Sequence, residues 1–402
     1  MRTPPCLHTR PPGRTDLADP ALHAAGDPHA AWRTLRRWDP VGWQPVEGRS
    51  GFWAVTRYTD ARTVLTDHAR FTSTGGVMLT MLGRPEPARN QQFAATDPPR
   101  HGLVRGPLQR QMTARAVARH APAIRSFVRQ MLRPADGVLD FAELTSALPL
   151  AFLGPLMGIP AADWPALSRW VSMSVAEHDP DVALPDGPSA TLDRGHRELF
   201  AYLVNLVLEH RRRPRGDLVD LLAAMPLRPG AVVANCYSLL LGGSAAIPHV
   251  PRAALTELIR TDHYAHWARR PERVGGVVEE ALRFTSPAGH FMRLATRDTT
   301  VGGVRVAAGD AVVVWLGSAN RDENVFANPD TLDPDRHPNR HLAFGDGRHY
   351  CLGAAVARLT LRVFFEELFA TFASFEPAGE AERVRSNWLG GIKRMPVVAG
   401  RR

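Results

Sequence analysis

The chain has 402 residues, of which 44% are hydrophobic, so it is long enough to bury a sizeable core in one large domain or two. Its formal charge of +9 comes almost entirely from arginine, because Lys393 is the only lysine. This chain-wide skew is typical of genomic base composition and argues against a nucleic-acid-binding patch. No apolar run reaches the roughly 18 residues of a membrane-spanning helix, so no membrane association is expected.

The N-terminal residues are rich in proline and arginine and lack the apolar core of a signal peptide. We therefore predict a disordered tail over residues 1–22, a single domain over 23–402, and a cytoplasmic protein. The three cysteines, Cys6, Cys236 and Cys351, form no CxxC pair and cannot make a disulfide framework, which suits a reducing compartment.

The first half of the chain is dominated by helical patterns. Residues 27–38 predict a helix, 51–58 a strand and 59–67 a second helix. Apolar residues then recur at helical spacing from about 117 to 285, with a break in the Pro- and Asp-rich segment 179–188.

Strand patterns return in the second half. Residues 299–316 alternate apolar and polar residues, with glycines at the turns, and predict a hairpin-like pair of strands. A polar segment over 320–340 leads to a predicted helix over 353–373. The fold class predicted from these elements is mainly α with a smaller β portion.

Cys351 lies in a glycine-rich segment, residues 344–353, which reads FGDGRHYCLG. Glycines before the cysteine let the backbone turn tightly and approach a flat ligand closely. A cysteine just before a helix has its thiolate stabilised by backbone N–H groups and the positive helix end, as a metal ligand requires. An inert cysteine buried in a glycine turn fits the spacing equally well.

A longer stretch, residues 341–358, reads HLAFGDGRHYCLGAAVAR and resembles the haem-binding loop of the cytochromes P450. The matching residues are Phe344, Gly345, Gly347, His349, Cys351, Leu352, Gly353, Ala357 and Arg358. Similarity to the family extends from about residue 28 to 398. It implies the cytochrome P450 fold, a triangular prism with haem b between a distal central helix and the proximal cysteine loop. In that fold Cys351 is the axial ligand of the iron, and Phe344, Gly345 and Gly353 contact the haem.

The segment 95–105, ATDPPRHGLVR, is similar to the D-P-P-x-H-x-x-x-R segment of the family. The resemblance implies that His101 and Arg105, together with Arg293 and His349, bind the haem propionates, which require cations and hydrogen-bond donors. Taken singly, each of these residues is more often a surface cation. Pro107 is a departure and should disrupt the helix that contains it.

Glu280 and Arg283 match the E-x-x-R pair of the family. Their i, i+3 spacing puts both side chains on one helix face. By resemblance they form a charge-assisted pair in the proximal haem wall, with Arg321 and Arg336 as further partners.

The central helix departs from the family pattern. The stretch over the distal face contains Gly242, Gly243, Ser244, Ala245, Ala246, Ile247 and Pro248. The acid and threonine that help deliver protons in the family fall on Ala245 and Ala246, and neither side chain can donate a proton.

Pro248 and Pro251 should kink this helix and free the carbonyls of Ser244 and Ile247. We hypothesise that a water on the Ser244 carbonyl, with the Ser244 hydroxyl or a substrate hydroxyl, takes over proton delivery. The alternative is that the prolines merely bend a tolerant helix. A contribution from His249 is also conceivable, although a packed or solvent-facing histidine is the commoner case.

By analogy with the family, the substrate pocket is mostly apolar, which fits a medium-sized hydrophobic molecule. Its predicted residues are Met78, Met81, Leu241, Ala288, Phe291, Met292 and Leu389. A methionine-rich stripe is also a common feature of a plain core.

Three functions are compatible with this sequence. The first is a monooxygenase that uses O2 and electrons from NAD(P)H through a ferredoxin and a ferredoxin reductase, since the chain has no flavin or iron–sulfur segment. By analogy it tailors an actinobacterial natural product, and a substrate tethered to a carrier protein is an open option. The second is non-hydroxylating chemistry, such as oxidative coupling, cyclisation, or a peroxide- or nitric-oxide-dependent reaction. The third, a non-catalytic auxiliary partner of a biosynthetic enzyme, is disfavoured because the Cys351 loop is intact.

Overall fold

The computed structural model describes residues 15–25, 28–133 and 137–402. In these ranges the α-helices are α1 Pro20–Ala24, α2 His29–Trp38, α3 Tyr58–Thr66, α4 Arg100–Gln111, α5 Ala114–Ala118, α6 Ala121–Leu132, α7 Phe141–Thr145, α8 Leu150–Met157, α9 Trp164–Val175, α10 Pro188–Arg212, α11 Leu218–Ala223, α12 Pro229–Ser244, α13 His249–Arg260, α14 Tyr264–Ala268, α15 Val274–Thr285, α16 Leu316–Ala319 and α17 Ala354–Thr371. The strands are β1 Val41–Gln44, β2 Phe52–Val55, β3 Phe71–Thr72, β4 Gly137–Asp140, β5 His290–Ala295, β6 Thr299–Val301, β7 Val304–Val306, β8 Ala311–Trp315, β9 Phe372–Pro377, β10 Glu382–Arg383, β11 Ile392–Arg394 and β12 Pro396–Arg401. The predicted fold class, mainly α with a smaller β portion, is confirmed.

The largest sheet has five strands in the order β1-β2-β8-β5-β3. The hairpin predicted over 299–316 is limited to β6 and β7, whereas β8 pairs in parallel with β2 and antiparallel with β5. Every residue of β8 is buried, as is typical of a strand in the middle of a sheet that is covered on both faces. Alternation along β8 divides the core, because Val312 and Val314 pack on one face and Val313 and Trp315 on the other.

The predicted tail over 1–22 overlaps the described residues only from residue 15 onward, and residues 1–14 lie outside them. Leu17 is fully buried, and the His23 ring in α1 stacks on Trp315 with the ring centroids 5.4 Å apart. Residues 15–22 therefore pack against the domain, because their apolar side chains fill a gap beside the sheet.

The central helix is interrupted at residues 245–248, which separate α12 from α13. Pro248 has no amide hydrogen, and the His249 amide donates to the Ala246 carbonyl at 3.2 Å, which closes a tighter turn. Within the described chain, the stretch Pro229–Arg260 is long and apolar enough to cross a membrane, but 61% of its apolar window is buried inside the protein. Buried core helices have the same composition.

Pro107 does not end α4, which continues from Arg100 to Gln111. A proline at this position leaves the Leu103 carbonyl without its helical donor. Leu103 is 74% exposed, so water can satisfy that carbonyl and the helix tolerates the proline.

Candidate active site

Cys351 is presented by a tight loop just before α17. Gly345 and Gly347 both have a φ of +70°, which favours glycine. A β-carbon on Gly347 would also lie 2.7 Å from the Leu65 carbonyl oxygen of α3. The loop closes on itself because the Cys351 amide donates to the Phe344 carbonyl at 2.8 Å. These constraints fix the position of the sulfur.

The electrostatic environment of Cys351 contains opposing influences. Burial raises the pKa of the thiol, whereas the Gly353 N–H and the charges of Arg105 and Arg358 lower it. A metal ion replaces the thiol proton when it binds, and the same donors then stabilise the thiolate.

Four residues predicted to bind propionates converge near this loop. The rings of His101 and His349 lie 4.5 Å apart between centroids, and the Arg105 Nη2 donates to the Tyr350 carbonyl. The Nε2 atoms of both histidines are buried and have no hydrogen-bond partner in the described parts of the chain. Burial lowers the pKa of Arg293 to about 10. Burial, together with the charges of His349 and Arg105, lowers that of His101 to about 4.

A buried group of donors and cations with unsatisfied hydrogen-bonding atoms requires an anionic partner. The two carboxylates of a haem beside Cys351 meet that requirement. The residues present therefore fit haem: Cys351 would hold the iron, and His101, Arg105, Arg293 and His349 would hold the propionates.

Asp97 is a member of this cluster that the sequence did not single out. Its carboxylate accepts hydrogen bonds from the Thr72 hydroxyl and, at 3.1 Å, from the Ser73 amide, and it lies 3.9 Å from the His349 Nε2. Burial opposes the effect, but His349 and the Thr72 hydroxyl lower the pKa of Asp97. The available signal was the aspartate that opens the DPP motif, and its carboxylate faces His349 without forming a hydrogen bond to it.

The Glu280–Arg283 pair of α15 is fully buried. Arg283 donates through Nε and Nη2 to the two carboxylate oxygens at 2.8 and 2.7 Å, and Arg336 donates to them at 3.1 and 3.2 Å. Arg321 instead forms an ion pair with Asp330 at 3.1 Å. The predicted pairing with Arg336 is thus present, and the carboxylate ties α15 to the segment before the cysteine loop.

A second ion pair next to Glu280 also escaped the sequence analysis. Arg358 of α17 donates to Glu279 at 2.7 and 2.8 Å and to the Tyr350 hydroxyl at 2.9 Å. Burial alone would raise the pKa of Glu279, but the His341 and Arg358 hydrogen bonds lower it to about 2. This pair fixes α17, and with it Cys351, against α15.

The residues predicted on the distal side fall into two groups. A β-carbon on Gly242 would meet open space, whereas one on Gly243 would lie 3.0 Å from Leu153 of α8, so Gly243 packs away from the site. The Ser244 hydroxyl donates to the Leu240 carbonyl at 2.6 Å within its own helix. Its proton is already used there, which removes the simplest form of the predicted serine relay.

Ala245, Pro248 and Leu389 line one cavity with Ser244, beside the interruption of the central helix. Ala246 lies within the interruption, between the ends of α12 and α13.

The predicted substrate residues are also divided. Ala288 and Leu389 form a β-bridge, and Met78 and Leu241 pack on the same core cluster. Phe291 lies against the cysteine loop, 3.7 Å from a β-carbon built on Gly345.

Met292 is 1% exposed and points to the other face of β5, into the cluster that contains Trp315 and, at its edge, Met81. Strand alternation therefore places Met292 in the core behind the sheet, which corrects its assignment to the same pocket wall as Phe291.

Comparison with known proteins gives consistent similarities. The sequence model for the family described as Cytochrome P450 matches residues 274–396. The chain is 33% identical to Cytochrome P450 NovI of Streptomyces niveus, covering 99% of both chains. It is 32% identical to Linalool 8-monooxygenase of Pseudomonas putida, covering 96% of this chain and 98% of that one. The crystal structure of P450 OxyD, involved in the biosynthesis of vancomycin-type antibiotics, superposes with a TM-score of 0.87 at 30% identity, covering 97% of this chain and 100% of that one.

Proposed function

Because the chain belongs to the cytochrome P450 family of haem-thiolate oxidoreductases, we propose that it is a monooxygenase that tailors a medium-sized hydrophobic natural product. Membership of the family implies haem b as cofactor, O2 as co-substrate and electrons that come from NAD(P)H through redox partners. The proposal adds the substrate class, a ferredoxin with its reductase as the electron donors, and a cytoplasmic location.

One observation carries the proposal: three buried residues, His101, Arg105 and Arg293, converge with the largely buried His349 beside Cys351, and the carboxylate of Asp97 does not satisfy them all. His101 and His349 have buried Nε2 atoms with free hydrogen-bonding capacity, while Arg105 and Arg293 add positive charge. When bound, thiolate-ligated haem supplies the activation of dioxygen. The protein holds Cys351 in a constrained loop, and its cluster of cations and donors would bind the propionates of that haem.

Named relatives support the substrate class. Linalool is a small hydrophobic alcohol, and P450 OxyD acts in the biosynthesis of an antibiotic. The side chains of Leu241, Ala288 and Leu389 suit an apolar molecule of comparable chemistry. A substrate tethered to a carrier protein would present the same apolar group to these residues.

A second candidate, non-hydroxylating chemistry such as oxidative coupling or cyclisation, is favoured by the alanines at 245 and 246. Such reactions relax the need for a proton relay on the central helix. Product analysis distinguishes the two, since a monooxygenase adds one oxygen atom from 18O2 to the substrate, whereas coupling or cyclisation adds none.

The proposal is tested by titrating haem-loaded protein with hydrophobic metabolites made by the neighbouring biosynthetic genes. A ligand that enters the distal site shifts the Soret band in a saturable manner, and the same ligand should be oxidised when ferredoxin, its reductase and NAD(P)H are added. A protein that binds haem but oxidises none of its spectral ligands, with reductase or with peroxide, would contradict the proposed activity.

A further inference from the structure

A cavity of about 260 Å³, with a mostly apolar lining and several charged side chains, lies beside the interruption of the central helix. Ser244, Ala245, Pro248 and His249 form the wall that the interruption contributes. The charged residues around the rest of the cavity are Arg252 on α13, Glu143 on α7, Asp179 and Asp181 after α9, and Lys393 on β11. The cavity therefore connects a cluster of ionised side chains with the backbone at the interruption.

The outer end of this cavity is marked by the only lysine of the chain. Lys393 forms ion pairs with Asp179 at 2.9 Å and with Asp181 at 3.2 Å. Asp181 is 40% exposed, so this cluster borders the solvent. Ionisable groups at the edge of the solvent can exchange protons with bulk water.

The inner end is marked by His249, the first residue of α13, whose ring is held by the turn before β11. The Nδ1 faces two donors, the Ile392 amide at 3.2 Å and the Arg252 Nη1 at 3.3 Å. The Ile392 carbonyl, also 3.2 Å from Nδ1, already accepts from the Arg252 Nη1 at 2.8 Å. The hydrogen-bond network thus assigns Nδ1 as an acceptor and places the proton of a neutral ring on Nε2.

The ring is neutral in this environment. Burial and the charge of Arg252 lower the pKa of His249 well below its usual value, although the Ile392 carbonyl opposes them, so the imidazole is neutral at physiological pH. Since its Nδ1 is occupied, the ring cannot pass a proton from one nitrogen to the other. It can only offer a fixed N–H donor.

The interruption leaves the Ser244 carbonyl, on the wall of the same cavity, without its helical donor. Pro248 cannot donate to the Ser244 carbonyl, and the Ser244 hydroxyl is turned back to Leu240. A buried water requires two to four polar partners and space for one molecule, and the cavity provides both. An Nε2–H donor and a backbone carbonyl are suitable partners.

We propose that this cavity holds a chain of waters that carries protons from the Asp179–Lys393 cluster to the helix interruption, and that His249 is the positioning residue at its inner end. The inference rests on the proposed function. Insertion of one oxygen atom of O2 and reduction of the other to water consumes two electrons and two protons. The electrons come from the redox partner, and the protons come from bulk water through the chain of waters. His249 is therefore neutral before and after each turnover.

Two substitutions separate the roles of the two ring nitrogens. In His249→Asn the side-chain oxygen replaces Nδ1 as acceptor for Ile392, but the Nε2–H donor is lost. In His249→Gln the amide nitrogen replaces the Nε2–H donor, but the acceptor for Ile392 is lost.

Oxygen consumption is measured with a plant-type ferredoxin, its reductase and NADPH, in H2O and D2O. We expect His249→Asn to slow it about 2- to 10-fold, the effect of one hydrogen bond, with a larger solvent isotope effect. His249→Gln should stay close to wild type.

A second readout is independent of turnover. The 15N NMR spectrum of the wild type should show a protonated Nε2 and an unprotonated Nδ1 for His249, and a high-resolution crystal structure should show a water bonded to Nε2. The route is overturned if Nδ1 carries the proton or if no water binds Nε2. It is also overturned if both variants consume oxygen at the wild-type rate. If the rate of His249→Gln falls as far as that of His249→Asn, the ring has a structural role in the turn and the route is again overturned. If the protein has a normal thiolate-haem spectrum, these outcomes overturn the route but not the proposed function. A wild type that binds no haem overturns the route and the proposed function together.

Discussion

Substitution of Glu280 by glutamine tests the structural role assigned to the buried ion pair of α15. The carboxylate accepts from Arg283 at 2.7 and 2.8 Å, from Arg336 at 3.1 and 3.2 Å, and from the Asn339 amide at 3.0 Å. A glutamine keeps the volume, but it removes the only negative charge in these contacts and turns an N–H group toward other donors. Two guanidinium groups then remain buried or nearly so without their counter-ion.

The expected cost follows from the burial of the pair. Glu280 and Arg283 are both 0% exposed, so solvent cannot screen the remaining charge. Removal of one partner from a buried pair costs about 3–5 kcal/mol, and this is a large share of a typical unfolding free energy of about 5–15 kcal/mol. The variant should therefore unfold at a much lower urea concentration and lose haem more readily.

The assay is urea unfolding of haem-loaded protein followed by tryptophan fluorescence, with haem loss recorded in parallel. Glu272→Gln is the matched control, because Glu272 is exposed two turns earlier and its substitution should change stability by less than about 0.5 kcal/mol. A loss below about 1 kcal/mol for Glu280→Gln would refute the assignment of a buried charge pair as the link between α15 and the cysteine loop.

Three further outcomes are expected. The hydrogen bonds that lower the pKa of Glu279 from 4.5 to about 2 contribute stability above pH 4.5, and this contribution is lost as the pH falls toward 2. Unfolding titrations should therefore show that Glu279→Gln lowers the free energy of unfolding by about 1–2 kcal/mol at pH 7. The difference between the variant and the wild type should disappear as the pH falls below 4.5. Arg293→Ala should speed haem transfer to a scavenging globin about 10- to 100-fold, because it removes a cation proposed to bind a propionate. Arg297→Ala, at an exposed arginine, should leave the transfer rate unchanged. Equal transfer rates for the two variants would contradict the propionate role of Arg293. Gly243→Ala should destabilise the protein by about 1 kcal/mol or more in thermal unfolding, because the added β-carbon meets Leu153. Gly242→Ala should be neutral or stabilising, because its β-carbon meets open space. If Gly242→Ala were the more destabilising of the two, the faces of α12 would be misassigned.

Local sequence patterns predicted the elements around the site well. The helix predicted over 353–373 is α17, Ala354–Thr371, and Gly345 and Gly347 form the tight turn predicted before the cysteine, each with a positive φ. These features depend on residues close together in the chain, where helical spacing and glycine conformation act directly.

Long-range pairings were harder to predict. The sequence placed 299–316 in one hairpin, but β8 pairs with β2, whose residue Phe52 is far away in the chain. Asp97 and Glu279 were missed because a carboxylate gains meaning only from the partner that folding brings to it, here His349 and Arg358. Phe291 and Met292 are neighbours in β5, so alternation puts them on opposite faces of the sheet; which of the two faces the site depends on how β5 packs in the fold.

The central claim is that the Cys351 sulfur holds the iron of a haem, and a spectrum of the reduced protein with carbon monoxide tests it most directly. The wild type, and Cys236→Ala as the control that removes a buried thiol elsewhere, should show the red-shifted Soret band of thiolate-ligated haem. Cys351→Ala should lose that band. Retention of the band in Cys351→Ala, or a wild type that takes up no haem on reconstitution, would contradict the assignment.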